Sequence, residues 1–174
     1  QSSKIPATMF LRAMDEKYSS TEAIIRIIHE TKTITVDKLD PMMWSVGPIV
    51  DTESGEIIVE AGAQIGDRTG AIQRSSIKKI EVVTKVIDPL VLNTLAEDDC
   101  ESREAALLKL YARLRPGNPP NIEKAKTLFN EKFFDGDRYR LGRVGRFRLN
   151  RKFKQEIGEN EMTLRPEDFL NTMK

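Results

Sequence analysis

The chain has 174 residues, 39% of them hydrophobic and 32% charged, so it is long enough for one domain with a sizeable core. A net charge of +1 indicates no class of partner, while a single cysteine (Cys100) and a single histidine (His29) exclude a disulfide scaffold and a Cys/His zinc site. The sequence lacks the ~20-residue apolar run of a membrane span, and a lone cysteine is typical of a reducing compartment, so we expect a cytoplasmic protein without membrane contact.

The N-terminal part predicts two helices. Pro6 suits the first turn of a helix that runs to Met14. The segment 19–22 (SSTE) predicts a capping box that opens a second helix, which we expect to end at about Thr31. His29 lies near the end of that helix, where we expect a structural role, because no second histidine or cysteine lies nearby.

Residues 32 to 87 predict β structure. Thr33–Val36 alternates polar and apolar residues, and Ile77–Val83 has the composition of a strand. The segments 47–51 and 56–60 flank a glycine-containing loop, which predicts a β-hairpin. The glycines that follow match neither a Walker motif nor GxGxxG, so a nucleotide-binding loop is not expected.

The second half returns to helices. After a break at Asp88-Pro89, the acidic run 97–99 predicts a solvated loop, and Cys100 beside it predicts an inert thiol. Two helices follow, at 102–114 and at 122–134, joined by the stiff turn RPGNPP, in which we expect Gly117 to have a positive φ. Pro166 opens a last helix that reaches the end of the sequence without a C-cap, so we expect the chain to be part of something longer. The predicted fold is α+β, with helices at both ends around a small, mostly antiparallel sheet.

Charge is unevenly distributed along the chain. Residues 1–137 carry 18 basic and 22 acidic side chains, whereas residues 138–174 carry 10 basic and 5 acidic ones. Between Arg138 and Lys154 there are eight cations, six of them arginines, and no acid, with Tyr139, Phe147 and Phe153 interleaved. Such a segment attracts phosphate. It is equally typical of a solvated face, or of arginines paired with the acidic front half, and composition alone does not separate these interpretations.

Three stretches form a specific set in this order. They are KIPAT with LRA at residues 4–13, LRPGNPP at 114–120, and residues 133–151, which contain FF, DRY, VGR and NR. Together they resemble the beta subunits of bacterial DNA-directed RNA polymerase, in the lobe that follows the N-terminal strands. The resemblance covers about residues 4–154 and extends loosely to the last helix. Residues 31–98 match only in general character.

The resemblance implies a function in transcription, as part of a nucleotidyltransferase whose catalytic Mg²⁺ is bound elsewhere. It therefore implies no catalytic residue, metal ligand or cofactor within this chain. The lobe forms one jaw of the DNA cleft, beside downstream duplex and the non-template strand. The implied partners are DNA, the beta-prime, alpha and omega subunits, and sigma factor.

The resemblance also implies site residues and boundaries. Arg115 of the RPG turn and Arg138 of DRY are the first candidates to contact DNA, followed by Arg143 and Arg146. Residues 1–154 would form the lobe domain, without the strands that the family places before Lys4. Residues 155–174 would form a helical extension of the same lobe.

Two other functions fit parts of the sequence. One is a free-standing protein-interaction module with a basic nucleic-acid-binding tail, whose acidic front half docks a basic partner. The other is an independent enzyme with Mg²⁺ held by paired carboxylates such as Asp135 and Asp137. Those two residues flank a glycine where a helix is expected to end, which is a common structural use of aspartate.

Overall fold

The structure is a computed structural model that describes residues 4–174. In that range it contains eight α-helices and five short strands. The helices are α1 Ala7–Met14, α2 Thr21–Ile28, α3 Thr69–Arg74, α4 Leu90–Glu97, α5 Arg103–Leu114, α6 Ile122–Phe133, α7 Arg143–Phe153 and α8 Pro166–Met173. The strands are β1 Thr31–Thr35, β2 Trp44–Ser45, β3 Ile49–Val50, β4 Ile57–Val59 and β5 Lys79–Val83.

The strands form two small antiparallel sheets, which confirms the predicted α+β fold. The first sheet has the order β1–β5–β2, with Thr31 opposite Val83 and Thr35 opposite Lys79. The predicted hairpin is present as β3–β4, but it forms a separate two-stranded sheet. A bulge between Ile49 and Val50 shifts its register.

Local capping chemistry determines where several helices begin. The Ser102 hydroxyl accepts from the Ala105 N–H at α5, and the Asn121 side chain accepts from two N–H groups at α6. At α2 the cap is Ser20, whose hydroxyl accepts from the Ala23 N–H at 3.2 Å, so the helix begins one residue later than a cap at Ser19 would give. The helix also ends earlier than predicted, at Ile28, because His29 is already extended and leads into β1.

Three buried apolar clusters hold the elements together. One joins α1 to α5 and α6, the second joins α1 and α2 to β5, α4 and α8, and the third lies around the strands. Phe169 of α8 packs against the first two clusters, and Leu170 is buried in the second. Helix α8 is therefore packed onto the body of the fold, while the proposed domain boundary at residue 154 stays a prediction.

The acidic run 97–99 was predicted to be a solvated loop, and the structure differs from that prediction at one residue. Asp98 is buried and accepts from the Arg12 Nε at 3.0 Å and from the Thr8 hydroxyl at 2.7 Å. Asp99 remains exposed and pairs with Lys109. The prediction was wrong for Asp98 because its partners lie 86 and 90 residues earlier, out of reach of a local charge pattern.

The RPGNPP turn has the predicted backbone. The Arg115 N–H closes α5 on the Tyr111 carbonyl at 2.8 Å, and Gly117 has φ +86°, in the left-handed region. The prediction for Gly117 is confirmed.

In the described part of the chain, no helix combines the length and the apolar character that crossing a bilayer requires.

Candidate nucleic-acid interface

Most of the basic segment, residues 138–154, folds into α7, which has one exposed side and one inward side. With 3.6 residues per turn, Arg143, Phe147 and Arg151 follow one another along a single stripe. Arg148 and Lys152 extend the same exposed side, and the helix contains no acid. Arg146 lies on the opposite side and is buried.

The exposed side combines cations with apolar groups. We call it the cationic face of α7, and it consists of Arg143, Val144, Phe147, Arg148, Arg151 and Lys152. Val144 and Phe147 are 65% and 54% exposed. Guanidinium groups bind phosphate and an exposed aromatic ring stacks on bases, so the two kinds of group suit a nucleic-acid strand.

Several of these cations are uncompensated. Within residues 4–174, no carboxylate forms an ion pair with Arg143, Arg148 or Arg151. Lys152 lies over the Phe153 ring, with its Nζ 5.5 Å from the ring centroid. The face therefore keeps its positive charge available to an external anion, which favours phosphate contact over pairing with the acidic front half.

Arg146 does not belong to this face, although the resemblance implied it as one of the further candidates to contact DNA. Its Nη1 donates to both carboxylate oxygens of Asp168, at 2.8 and 2.9 Å, and its Nε donates to the Glu161 carbonyl at 3.2 Å. Its Nη2 donates to the Thr163 carbonyl. Every nitrogen of the guanidinium is thus used inside the protein, and we remove Arg146 from the DNA-facing set.

Arg138 lies in the turn between α6 and α7, and it is 64% exposed. It forms ion pairs with Glu131 at 3.4 Å and with Asp135 at 3.9 Å. Exposed pairs of this length contribute little stability and exchange readily with other anions. Arg138 is accordingly both close to a turn acid and accessible to a phosphate.

Arg115 is exposed at the end of α5. It lines a shallow depression together with Glu123, Lys124 and Glu131 of α6. Glu131 is also the carboxylate that pairs with Arg138. Glu131 therefore lies both at the depression that Arg115 lines and in the ion pair with Arg138, while Arg143 lies on α7.

Acidic groups elsewhere are already occupied by internal partners. Asp98, Asp99 and Cys100 bring two carboxylate oxygens and a sulfur within 4.8 Å of one another. Asp98 is bonded to Arg12, Thr8 and the Cys100 N–H, Asp99 pairs with Lys109, and burial raises the pKa of the Cys100 thiol to about 11. At the end of α6, Asp135 accepts from the Asp137 N–H at 2.9 Å, as expected for a structural turn.

Sequence reasoning counted the cations of residues 138–154 but did not assign a helix to them. The signal was present, since Arg143, Phe147 and Arg151 have four-residue spacing and the segment 143–153 contains no proline. A helix there separates Arg146 from the exposed cations. Without it, Arg146 and Arg148 look equivalent.

Comparison with known proteins gives one consistent result. Residues 75–174 match the family described as RNA polymerase Rpb2, domain 2. A relative in Rhodopirellula baltica named DNA-directed RNA polymerase subunit beta is 46% identical, over 98% of this chain and 14% of the relative. Relatives with the same name are 36% identical in Sorangium cellulosum, over 72% of this chain, and 34% identical in Gluconobacter oxydans, over 86%. The chain spans 10 to 14% of the length of these three relatives.

Proposed function

Because this chain belongs to the family of RNA polymerase Rpb2 domain 2, found in beta subunits of DNA-directed RNA polymerase, we propose that it forms one wall of the DNA cleft. In this proposal it is the lobe, a jaw beside downstream duplex and the non-template strand. The observation that carries the proposal is the cationic face of α7, where exposed cations without an internal acid surround an exposed aromatic ring.

The chemistry of this face favours contact without sequence preference. Arginine and lysine bind phosphate oxygens, which are identical along any DNA, and Phe147 offers a ring on which any base stacks. A transcribing enzyme passes over every sequence, so a cleft wall of this kind supplies affinity without reading bases.

Two further arginines extend the proposed contact. Arg115 is exposed on a turn whose backbone is stiffened by three prolines, and Arg138 is exposed in the turn between α6 and α7. On a stiff turn less backbone entropy is lost when a phosphate is bound. Arg143 belongs to the cationic face, and Arg146 has no part in the contact.

The proposal places the chain within a larger enzyme. The chain contributes to nucleotidyl transfer by holding DNA, and the catalytic Mg²⁺ is bound by other parts of the polymerase. Its protein partners are the beta-prime, alpha and omega subunits and sigma factor, and it works in the cytoplasm.

The dependence of DNA binding on salt tests the phosphate contact. We expect Arg148→Gln with Arg151→Gln, in the 174-residue chain, to weaken binding to a DNA duplex. The slope of log K against log salt should fall by about 0.9 for each phosphate contact removed. Two duplexes of unrelated sequence should give the same loss, because phosphates carry no base identity.

A matched variant controls for net charge. Lys78→Gln with Lys79→Gln removes the same two charges from exposed positions at β5. We expect this variant to bind with nearly the wild-type slope. Equal losses in both double variants would mean that only net charge attracts DNA, and would contradict a contact at α7.

A further inference from the structure

Helix α7 is attached to the body of the protein in an unusual way. The three buried apolar clusters of the described residues contain no side chain from α7, and none of its side chains is packed against them. By contrast, α1, α2, α4, α5, α6 and α8 each contribute to those clusters. Apolar burial is the usual source of helix docking, but in α7 it is limited to Leu149 and Phe153, which are half-buried outside these clusters. Polar contacts therefore matter more for α7 than for the other helices.

One side chain makes most of the polar side-chain contacts between α7 and the rest of the described chain. Arg146 donates to the Asp168 carboxylate and to the carbonyls of Glu161 and Thr163. It is 0% exposed, and the side chain of Asp168 is 2% exposed. Asn150 adds one bond, from its Nδ2 to the Ile157 carbonyl at 2.7 Å. A single guanidinium therefore joins α7 to both the following loop and α8.

Asp168 is itself held by the body of the fold. It lies in the first turn of α8, where its Oδ2 also accepts from the Arg165 N–H at 2.8 Å. The next two residues, Phe169 and Leu170, pack into the clusters built on α1. The Asp168 carboxylate thus has a fixed position relative to the core, and its bonds to the Arg146 guanidinium fix that group as well.

The contact between Arg146 and Asp168 sets the orientation of α7 about its own axis. Two positions along an α-helix correspond to about 200° of rotation, so a fixed Arg146 directs Arg148 away from the body. Arg151, five positions on, is turned by about 140° from Arg146. Because Nη1 bonds the Asp168 carboxylate while Nε and Nη2 bond two loop carbonyls, these contacts together specify one orientation of Arg146. In any other orientation the buried charge would lose its partner, which is strongly disfavoured.

We infer that Arg146 and Asp168 are a positioning pair. They orient the cationic face of α7 toward DNA, and neither residue contacts the DNA itself. The inference rests on the proposed DNA contact for its functional consequence. Its structural half, that this pair fixes α7 on the body, stands independently of any ligand.

The decisive variant is Asp168→Asn, because the two possible roles of Arg146 predict opposite changes in DNA affinity. Asparagine keeps an acceptor for the Arg165 N–H but removes the charge that holds Arg146. If Arg146 positions α7, Asp168→Asn weakens DNA binding, by about tenfold if the coupling is typical of contacting residues. If Arg146 instead binds phosphate itself, removing its acidic competitor strengthens binding, and the inference is overturned.

A second buried ion pair supplies the matched control. Asp98→Asn also adds one unit of positive charge and also breaks a buried pair, between Asp98 and Arg12 in the body. We expect it to lower thermal stability while leaving α7 no more exposed than the rest of the chain. A loss of DNA affinity equal to that of Asp168→Asn, at a temperature where both variants are folded, would reduce the effect to general destabilisation and overturn the inference.

Hydrogen exchange separates the inference from the proposed function. In Asp168→Asn and Arg146→Met we expect amides of 143–153 to exchange at least about tenfold faster, while amides of α1 and α5 keep their wild-type rates. The double variant should add little to either single one. If the wild-type chain binds no DNA but this pattern appears, the proposed function fails and the positioning role stands. Unchanged exchange in α7, or uniform acceleration throughout the chain, would overturn the positioning role.

Discussion

At the scale of single residues, Cys100 shows how burial controls reactivity. Its side chain is 2% exposed, and its N–H donates to the Asp98 carboxylate at 3.0 Å. Burial, together with the neighbouring Asp98 charge, raises the pKa of the thiol to about 11. Since the thiolate is the reactive form, the folded protein should protect Cys100 from electrophiles.

We therefore expect Cys100 to react slowly with iodoacetamide at pH 8 and at the rate of a free thiol in denaturant. The thiol of Cys100 also makes the free energy of unfolding depend on pH.

The pKa of the thiol is higher in the folded than in the unfolded chain, so the thiol of the unfolded chain loses its proton first. The free energy of unfolding therefore falls as pH rises from about 9 toward 11. Urea unfolding of wild type and Cys100→Ala should show their difference in stability shrinking over that range. A difference independent of pH would contradict the raised pKa.

Buried ion pairs mark the limit of sequence reasoning at this scale. The resemblance implied that Arg146 contacts DNA, and the charge pattern predicted that Asp98 is solvated. Both side chains instead lie in buried pairs. Their partners are 22 and 86 residues away. A local charge pattern shows that a residue is charged, but the partner across the fold is set by tertiary packing, which a single sequence does not display.

At the scale of elements, local signals predicted much of the fold. Prolines correctly placed the starts of α1 and α8, and helical periodicity placed α5 and α6 to within one residue of their observed starts, because these signals are local in the chain. The separation of β3–β4 from the main sheet was not predicted, because strand partners depend on distant residues. Helices α3 and α4 were not predicted either. The region around residues 32–87 was therefore the least completely predicted.

The RPGNPP turn gives a test of one element. Gly117 has φ +86°, and a Cβ added there would meet no atom within 4 Å. The cost of Gly117→Ala is then purely one of backbone conformation, and we expect the free energy of unfolding to fall by about 1 kcal/mol. Thermal or urea unfolding measures it. Gly136→Ala is a suitable control, since its Cβ also meets no atom within 4 Å and its φ is not in the left-handed region. Equal effects at the two positions would argue against the conformational explanation.

At the scale of the whole molecule, charge and packing are divided between parts of the chain. The apolar clusters lie in the helices and strands outside α7, while α7 carries exposed cations on a polar attachment. In the proposed function the cationic face contacts DNA while the apolar core lies elsewhere, so substitutions on that face leave the core intact. This division also explains why net charge was uninformative, since the basic segment is balanced by acids elsewhere.

The most direct test of the proposed DNA contact is site-specific photo-crosslinking at position 147. Phe147→p-benzoylphenylalanine keeps an aromatic ring on the cationic face, and Ile57→p-benzoylphenylalanine places the same group at a comparably exposed position on the hairpin. Both variants would be introduced into polymerase containing the complete subunit, bound to two DNA templates of unrelated sequence. The proposal predicts DNA crosslinks from position 147 on both templates, decreasing as salt is raised, and none above background from position 57. Absence of DNA crosslinks at 147, or equal crosslinking from both positions, would contradict it.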